Sequence, residues 1–406
     1  MTRARGLAFT FLCFALTACS SDDGGGGGGK GGTGGTSTGG SGGSGGSTGG
    51  SSGSGGSGGV GASGGAGGTS AGGSGGSGGS SGTPAVAFIG RIDQSQPGVT
   101  RFAWSGGGIV FRFSGTAASV TLDDHGGYFT VVVDGAVQTP LVTAAGKQTY
   151  AVAQGLTAGE HEVRLYRRTE ASFGSSDFYG VDLGTGTLLA PPAPAAHRIE
   201  IIGDSITCGY GNEGKDQNCN FSADTENHYL TYGAIAARSL NADLSTVAWS
   251  GKGVIFNYGD DKTDPLPSLY DRTVPTESAS QWDFSWQPEA IVINLGTNDF
   301  STAGDPSETE FVGAYQTFLA HLRDKNPNAT IVALIPTLLS GNDLTTAQTY
   351  IEKAVAARKT AGDTKVVSLA LTFTQTGWGC DYHPSLKTHE SMGAALTAEL
   401  KKLMGW

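Results

Sequence analysis

The sequence predicts an α/β domain built on a parallel sheet, preceded by a β-sandwich, and three observations predict it. Short apolar runs of period two fill residues 85–189. Continuous apolar runs alternating with helix-length amphipathic segments fill residues 198–406. A proline-rich spacer, residues 190–197, lies between them. Buried parallel strands are apolar throughout because helices cover both faces of their sheet, whereas sandwich strands alternate because one face meets water.

The first 83 residues stand apart. Arg3 and Arg5 precede an apolar run from Leu7 to Ala18, the layout of a secretory signal, and that run is too short to span a bilayer comfortably. It ends Leu16-Thr17-Ala18-Cys19, which resembles the lipobox of bacterial lipoproteins. That resemblance implies cleavage after residue 19's predecessor, lipidation of Cys19 and, with Ser20 following, anchoring to the outer membrane of a Gram-negative bacterium. Residues 20–83 form the expected linker. Of the 69 glycines in the 406-residue chain, 35 fall within residues 24–83, and such a tract offers nothing to bury. Its span as a coil is roughly 40–50 Å, a tether for a domain working near its membrane.

In the sandwich region the runs are 109–113, 119–122, 128–133, 148–153 and 162–166, separated by turn signals such as Asp134-Gly135 and Ala158-Gly159. Asp123-Asp124-His125 precedes Gly126-Gly127 and reads as a polar turn. After the spacer come a strand at 198–202, a helix at 227–240, and strands at 244–249 and 290–295. A helix opens at Asp305-Pro306-Ser307-Glu308 and runs to about 325. Strands at 330–335 and 365–370 and helices at 347–360 and 386–403 complete the pattern.

Residues 84–406 carry 22 basic against 34 acidic side chains, a balance that repels polyphosphate backbones and excludes nucleic acid as a partner. The chain has five cysteines. Cys13 leaves with the signal and Cys19 carries lipid, so Cys208, Cys219 and Cys380 remain for the folded part. One disulfide and one leftover thiol is the simplest account in an oxidising compartment. The short glycine-bearing loop between Cys208 and Cys219 favours that pair, leaving Cys380 as a small buried hydrophobe. With no CxxC pair and no HExxH, no metal or cofactor is expected.

Ligands of a parallel sheet bind beyond the carboxyl ends of its strands, and four polar segments follow predicted strands in order. They are Gly203-Asp204-Ser205-Ile206-Thr207, Ser250-Gly251-Lys252-Gly253, Gly296-Thr297-Asn298-Asp299 and Asp381-Tyr382-His383-Pro384-Ser385. A serine needs an imidazole to take its proton. A tetrahedral oxyanion needs fixed donors, which a glycine N–H and an asparagine amide can supply. Each segment alone is an ordinary turn sequence, whereas their ordered combination supplies one complete set for nucleophilic catalysis.

The combination resembles the SGNH/GDSL hydrolases. With the sandwich ahead of it, Gly209-Tyr210-Gly211 after the serine, and Gly379-Cys380-Asp381-Tyr382-His383-Pro384-Ser385, it looks most like carbohydrate esterase family 2, which joins a jelly-roll domain to a flavodoxin-like hydrolase domain. The resemblance covers residues 85–406. It implies Ser205 as nucleophile, His383 as general base and Asp381 as the acid orienting it. It further implies an oxyanion hole of Ser205, Gly251 and Asn298. Asp381 stands two residues before the histidine, where the superfamily spaces its acid by three, and some family members use a backbone carbonyl instead. Asp204 and Asp299 are expected to orient loops, and His389 to pack. Trp378, Tyr382 and Tyr258 are the aromatic faces expected to stack on sugar rings.

The implied activity is removal of O-acetyl groups from xylan, mannan or related polysaccharides through an acetyl-serine, by a monomer without cofactor whose membrane contact is its lipid anchor. Two alternatives predict different behaviour: a lipase-like or peptidoglycan O-acetyl esterase of the same superfamily, or an inactive glycan-binding lipoprotein.

Overall fold

The computed structural model describes residues 85–406, so the signal, Cys19 and the linker lie outside the described residues. The first elements are β1 (Ala87–Ile89), β2 (Thr100–Phe102), β3 (Gly108–Gly115), β4 (Ala118–His125), β5 (Tyr128–Val133), β6 (Ala136–Val137), β7 (Leu141–Val142), β8 (Ala145–Ala153), β9 (Gly159–Arg167), β10 (Ser176–Asp182) and β11 (Thr187–Leu188). They build two antiparallel sheets. One runs β1-β3-β9-β5-β6, with β11 on β3 and β7 on β5, and the other runs β2-β10-β4-β8. Phe102, Phe111, Phe113, Val120, Leu122, Phe129, Val163 and Leu165 fill the space between them.

The pleat corrects one sequence reading. Residues 123–125 end strand β4, and the turn begins only at Gly126, whose φ is +93°. Alternation along β4 carries Ala118, Val120, Leu122 and then Asp124 to the buried face. The Asp124 carboxylate is compensated there by Arg167, Ser176, Thr143 and the Gly127 N–H.

The second half forms a parallel sheet of β12 (His197–Gly203), β13 (Ala242–Ala248), β14 (Ala290–Asn294), β15 (Thr330–Leu334) and β16 (Val366–Leu369), ordered β13-β12-β14-β15-β16. Its helices are α1 (Ser205–Cys208), α2 (Tyr232–Ser239), α3 (Leu266–Leu269), α4 (Glu308–Lys325), α5 (Gly341–Thr360) and α6 (Leu386–Met404). Strand β14 shows why the sequence runs apolar without alternation. Ile291 and Ile293 join one core with Phe311, Tyr315 and Leu319 of α4 and Ile351 and Val355 of α5. Ala290 and Val292 join the opposite core with Tyr232 and Ala236 of α2 and Met392 and Leu396 of α6. The doubly wound order places a crevice at the carboxyl ends of β12 and β14.

Several boundaries move for local reasons. Residues 228–230 form a separate 3₁₀ turn, because the Thr231 hydroxyl caps a new helix by accepting from Ala234 N. Helix α4 starts from Ser307 rather than Asp305, with Glu310 closing a capping box. Helix α5 begins six residues before the expected 347.

The two halves share buried polar contacts. Arg91, two residues beyond β1, donates to Glu200 Oε1 at 3.0 Å, to Tyr270 O and, at 3.3 Å, to Arg272 O. Trp104 packs in the same core as Ile291 and Ile293.

The cysteine pairing differs from the expectation. Cys219 is bonded to Cys380, 161 residues away, and Cys208 is the buried free thiol. Cys208 ends α1 inside the protein, fully buried against Glu170, while the 209–221 loop folds back over the histidine loop and brings Cys219 to Cys380. Gly214 permits that closeness, since a Cβ there would lie 2.3 Å from the Cys380 sulfur.

Candidate active site

Strand β12 ends in Gly203, and Asp204 caps α1 by accepting from Ile206 N, so Ser205 opens a one-turn helix at the sheet's carboxyl edge. Helix α6 begins after Ser385, whose hydroxyl caps it, and the segment just before that cap carries His383. The two meet: His383 Nε2 lies 2.8 Å from Ser205 Oγ.

The other side of the imidazole corrects the expectation for Asp381. His383 Nδ1 faces the Asp381 main-chain oxygen at 3.1 Å, and that oxygen only accepts. Nδ1 therefore carries the proton, and Nε2 presents its lone pair to the serine. The Asp381 carboxylate is turned away, accepting from Tyr210 Oη at 3.1 Å and Phe221 N at 2.9 Å. Asp381 and Tyr382 both sit at left-handed φ, +50° and +59°. Such a pair persists only where its surroundings hold it. Here the Cys219–Cys380 disulfide, Cys380 N to Gly211 O and Asp381 N to Cys219 O do so.

Burial lowers the imidazole's proton affinity to about 4, with only partial recovery from the accepting carbonyls and the Asp381 charge. His383 is thus a neutral base through the neutral range. The Tyr210 ring lies 4.3 Å from it, stacked in turn on Phe221 at 4.0 Å.

Strands β13 and β14 deliver the donors. Gly251 follows β13 at φ +77°, and its carbonyl is fixed by Tyr258 N at 2.8 Å. Asn298 follows β14, 6% exposed, and gives one amide proton to Lys252 O at 2.8 Å. The same nitrogen also reaches Asp204 Oδ2, at a long 3.5 Å. Asp299 accepts from Val254 N, Ile255 N and Phe256 N, so it holds the Gly251 loop. Asp204, buried beside Asp299, is pushed up to about 7. Both aspartates sit inside the scaffold rather than in the crevice.

Trp378 and Tyr382 meet edge to face, centroids 6.0 Å apart, with Tyr382 43% exposed, and Tyr258 is 39% exposed. His389 is fully buried and accepts from Tyr232 N. Among the described residues one group of three ligand-type side chains comes together, Glu170, Cys208 and Glu226, fully buried and hydrogen-bonded internally. Sequence reasoning passed over Glu170 and Tyr210. Nothing in the sequence marked Glu170, which sits in Arg167-Arg168-Thr169-Glu170, four successive polar residues that the structure buries. For Tyr210 the signal was the tyrosine inside Gly-Tyr-Gly.

The carbohydrate esterase 2 N-terminal family matches residues 88–192, and the GDSL-like lipase/acylhydrolase family matches residues 201–390. The chain is 42% identical over 327 residues to the cellulase/esterase CelE of Acetivibrio thermocellus, covering 80% of this chain and 40% of that protein's own length. It is 29% identical over 333 residues to an acetylxylan esterase / glucomannan deacetylase of Cellvibrio japonicus, covering 80% of this chain and 90% of that one. A solved family two carbohydrate esterase from Clostridium thermocellum, in complex with cellohexaose, superposes with a TM-score of 0.77 at 41% identity, covering 79% of this chain and all of that one. By domain pairing, sequence and fold together, the chain belongs to carbohydrate esterase family 2.

Proposed function

We propose that the protein is a carbohydrate O-acetyl esterase acting on acetylated xylan, mannan or a related polysaccharide. The observation that carries the reading is the Ser205 Oγ to His383 Nε2 contact of 2.8 Å at the sheet's crevice. In this reading His383 takes the serine proton as Oγ attacks the acetyl carbonyl. The oxyanion is met by the N–H groups of Ser205 and Gly251 and the Asn298 amide. The imidazolium returns its proton to the departing sugar hydroxyl, and water then attacks the acetyl-serine by the same relay, releasing acetate. Trp378, Tyr382 and Tyr258 supply aromatic faces for the sugar chain. The relatives named acetylxylan esterase / glucomannan deacetylase support the substrate class.

Lipidation at Cys19, attachment to an outer membrane and a monomeric state belong to the same proposal, supported by the apolar run, the Leu-Thr-Ala-Cys segment and the glycine-rich tether.

The test is acetate release from acetylated xylan and glucomannan by residues 84–406, beside p-nitrophenyl acetate and octanoate, with Ser205→Ala as control. Serine-dependent release with acetate strongly preferred over octanoate supports the reading. Octanoate turnover without polysaccharide activity replaces it with a lipase-like one, and binding without turnover replaces it with a lectin-like one.

A further inference from the structure

A carboxylate from the β-sandwich reaches the back of the oxyanion loop. Glu170 follows β9 and is 4% exposed, and its Oε2 accepts from Ser250 N at 2.6 Å and from Cys208 Sγ at 3.5 Å. Ser250 precedes Gly251, whose N–H belongs to the peptide joining the two. Cys208 is the last residue of the helix that Ser205 opens. One oxygen atom of the first domain therefore contacts both segments that carry the proposed catalytic groups of the second.

The glutamate is itself anchored. Its N–H donates to Glu226 Oε2 at 3.0 Å, and Glu226 is fully buried. Neighbouring Arg168 donates to Glu226 O at 3.2 Å and to the Glu213 carboxylate. Along the loop, Trp249 N reaches Gly203 O at 3.3 Å and Tyr258 N reaches Gly251 O at 2.8 Å. Glu170 supplies the hold between those two points. Burial pushes the Glu170 and Glu226 carboxyls up.

We propose that Glu170 is a positioning residue for the oxyanion hole, supplied by the β-sandwich, which fixes the Ser250–Gly251 peptide against the nucleophile helix. The inference rests on the esterase reading. Because a displacement of about 1 Å at a reacting centre costs on the order of 10²-fold in rate, loss of this hold lowers kcat and leaves KM nearly unchanged. Both contacts use the same oxygen, so a glutamine, which keeps one carbonyl oxygen in that place, suffices. An aspartate keeps the charge but withdraws the oxygen by one methylene.

The experiment compares Glu170→Gln, Glu170→Asp and Glu170→Ala with wild type on p-nitrophenyl acetate and acetylated xylan, with melting curves to count folded protein. The expected result is Glu170→Gln within about threefold of wild type and Glu170→Asp and Glu170→Ala lower in kcat by about 10–100-fold. Should Glu170→Ala fail to fold, the Gln and Asp pair decides alone. Equal kcat for the Asp variant and wild type, or a loss in the Gln variant as deep as in the Asp variant, overturns the proposal. If wild type and Ser205→Ala are indistinguishable, the esterase reading itself falls; if Ser205→Ala is dead and Glu170→Asp unimpaired, only the positioning role does.

Discussion

His383 is oriented by the main-chain oxygen of Asp381, 3.1 Å from Nδ1, while the carboxylate of the same residue points to Tyr210 and Phe221. A neutral carbonyl fixes the tautomer as well as a carboxylate does, but it stabilises the imidazolium less, consistent with a proton affinity lowered by burial.

Asp381→Asn should therefore retain activity within about tenfold of wild type, whereas replacing the acid of a charged triad costs about 10⁴-fold. Steady-state kcat on p-nitrophenyl acetate measures it. A loss approaching the triad value would mean that the carboxylate turns inward during catalysis.

The acid limb of kcat/KM should fall with a midpoint near 4. The neutral imidazole is the active form, its folded value lies below the ordinary 6.5, and protonation removes the base only as pH drops through about 4. A pH profile from 3.5 to 8 on an activated acetate ester checks this. A midpoint at 6.5 would contradict the burial argument.

Asn298→Ala should lower kcat on the order of 10²–10³-fold with little change in KM, since its amide meets charge that exists only in the transition state. Melting temperature serves as the control, because the Lys252 O contact is lost as well.

Reduction of the Cys219–Cys380 bond should lower both stability and activity. Closing a loop of 161 residues contributes about 5 kcal/mol in the chain-entropy treatment. The bond also pins the residue next to Asp381. Thermal melts and kcat with and without a reducing agent, against Cys208→Ser as the unbonded control, separate the two effects.

Much of the site was legible because Ser205, Gly251 and Asn298 sit shortly after the strands β12, β13 and β14, where the parallel sheet puts its ligands, while His383 lies just ahead of α6. Strand order and the motif resemblance together placed Ser205, Gly251, Asn298 and His383. The disulfide was not legible. Nothing in the spacing of Cys208 and Cys219 shows that the first points into the domain junction and the second folds over the histidine loop. The Asp381 side chain was misread for a related reason: Asp381 and Tyr382 both take left-handed φ, a backbone path that their residue types do not announce. Glu170 was invisible because its partners lie 38, 56 and 80 residues further along, in the other domain. The missed early start of α5 reflects Gly341, Asn342 and Asp343, poor helix formers that the sequence pattern discounts.

The Arg91 and Glu200 pair makes a separate demand on anyone wishing to recombine these modules. Its two side chains are 0% and 3% exposed, and removing one partner of so buried a pair costs about 3–5 kcal/mol. A hydrolase portion grafted onto a foreign sandwich would inherit Glu200 with no guanidinium above it. Chimeras should then be cut before residue 84, which leaves Arg91 and Glu200 in the same piece, and not at the proline-rich junction that looks from the sequence like the natural seam.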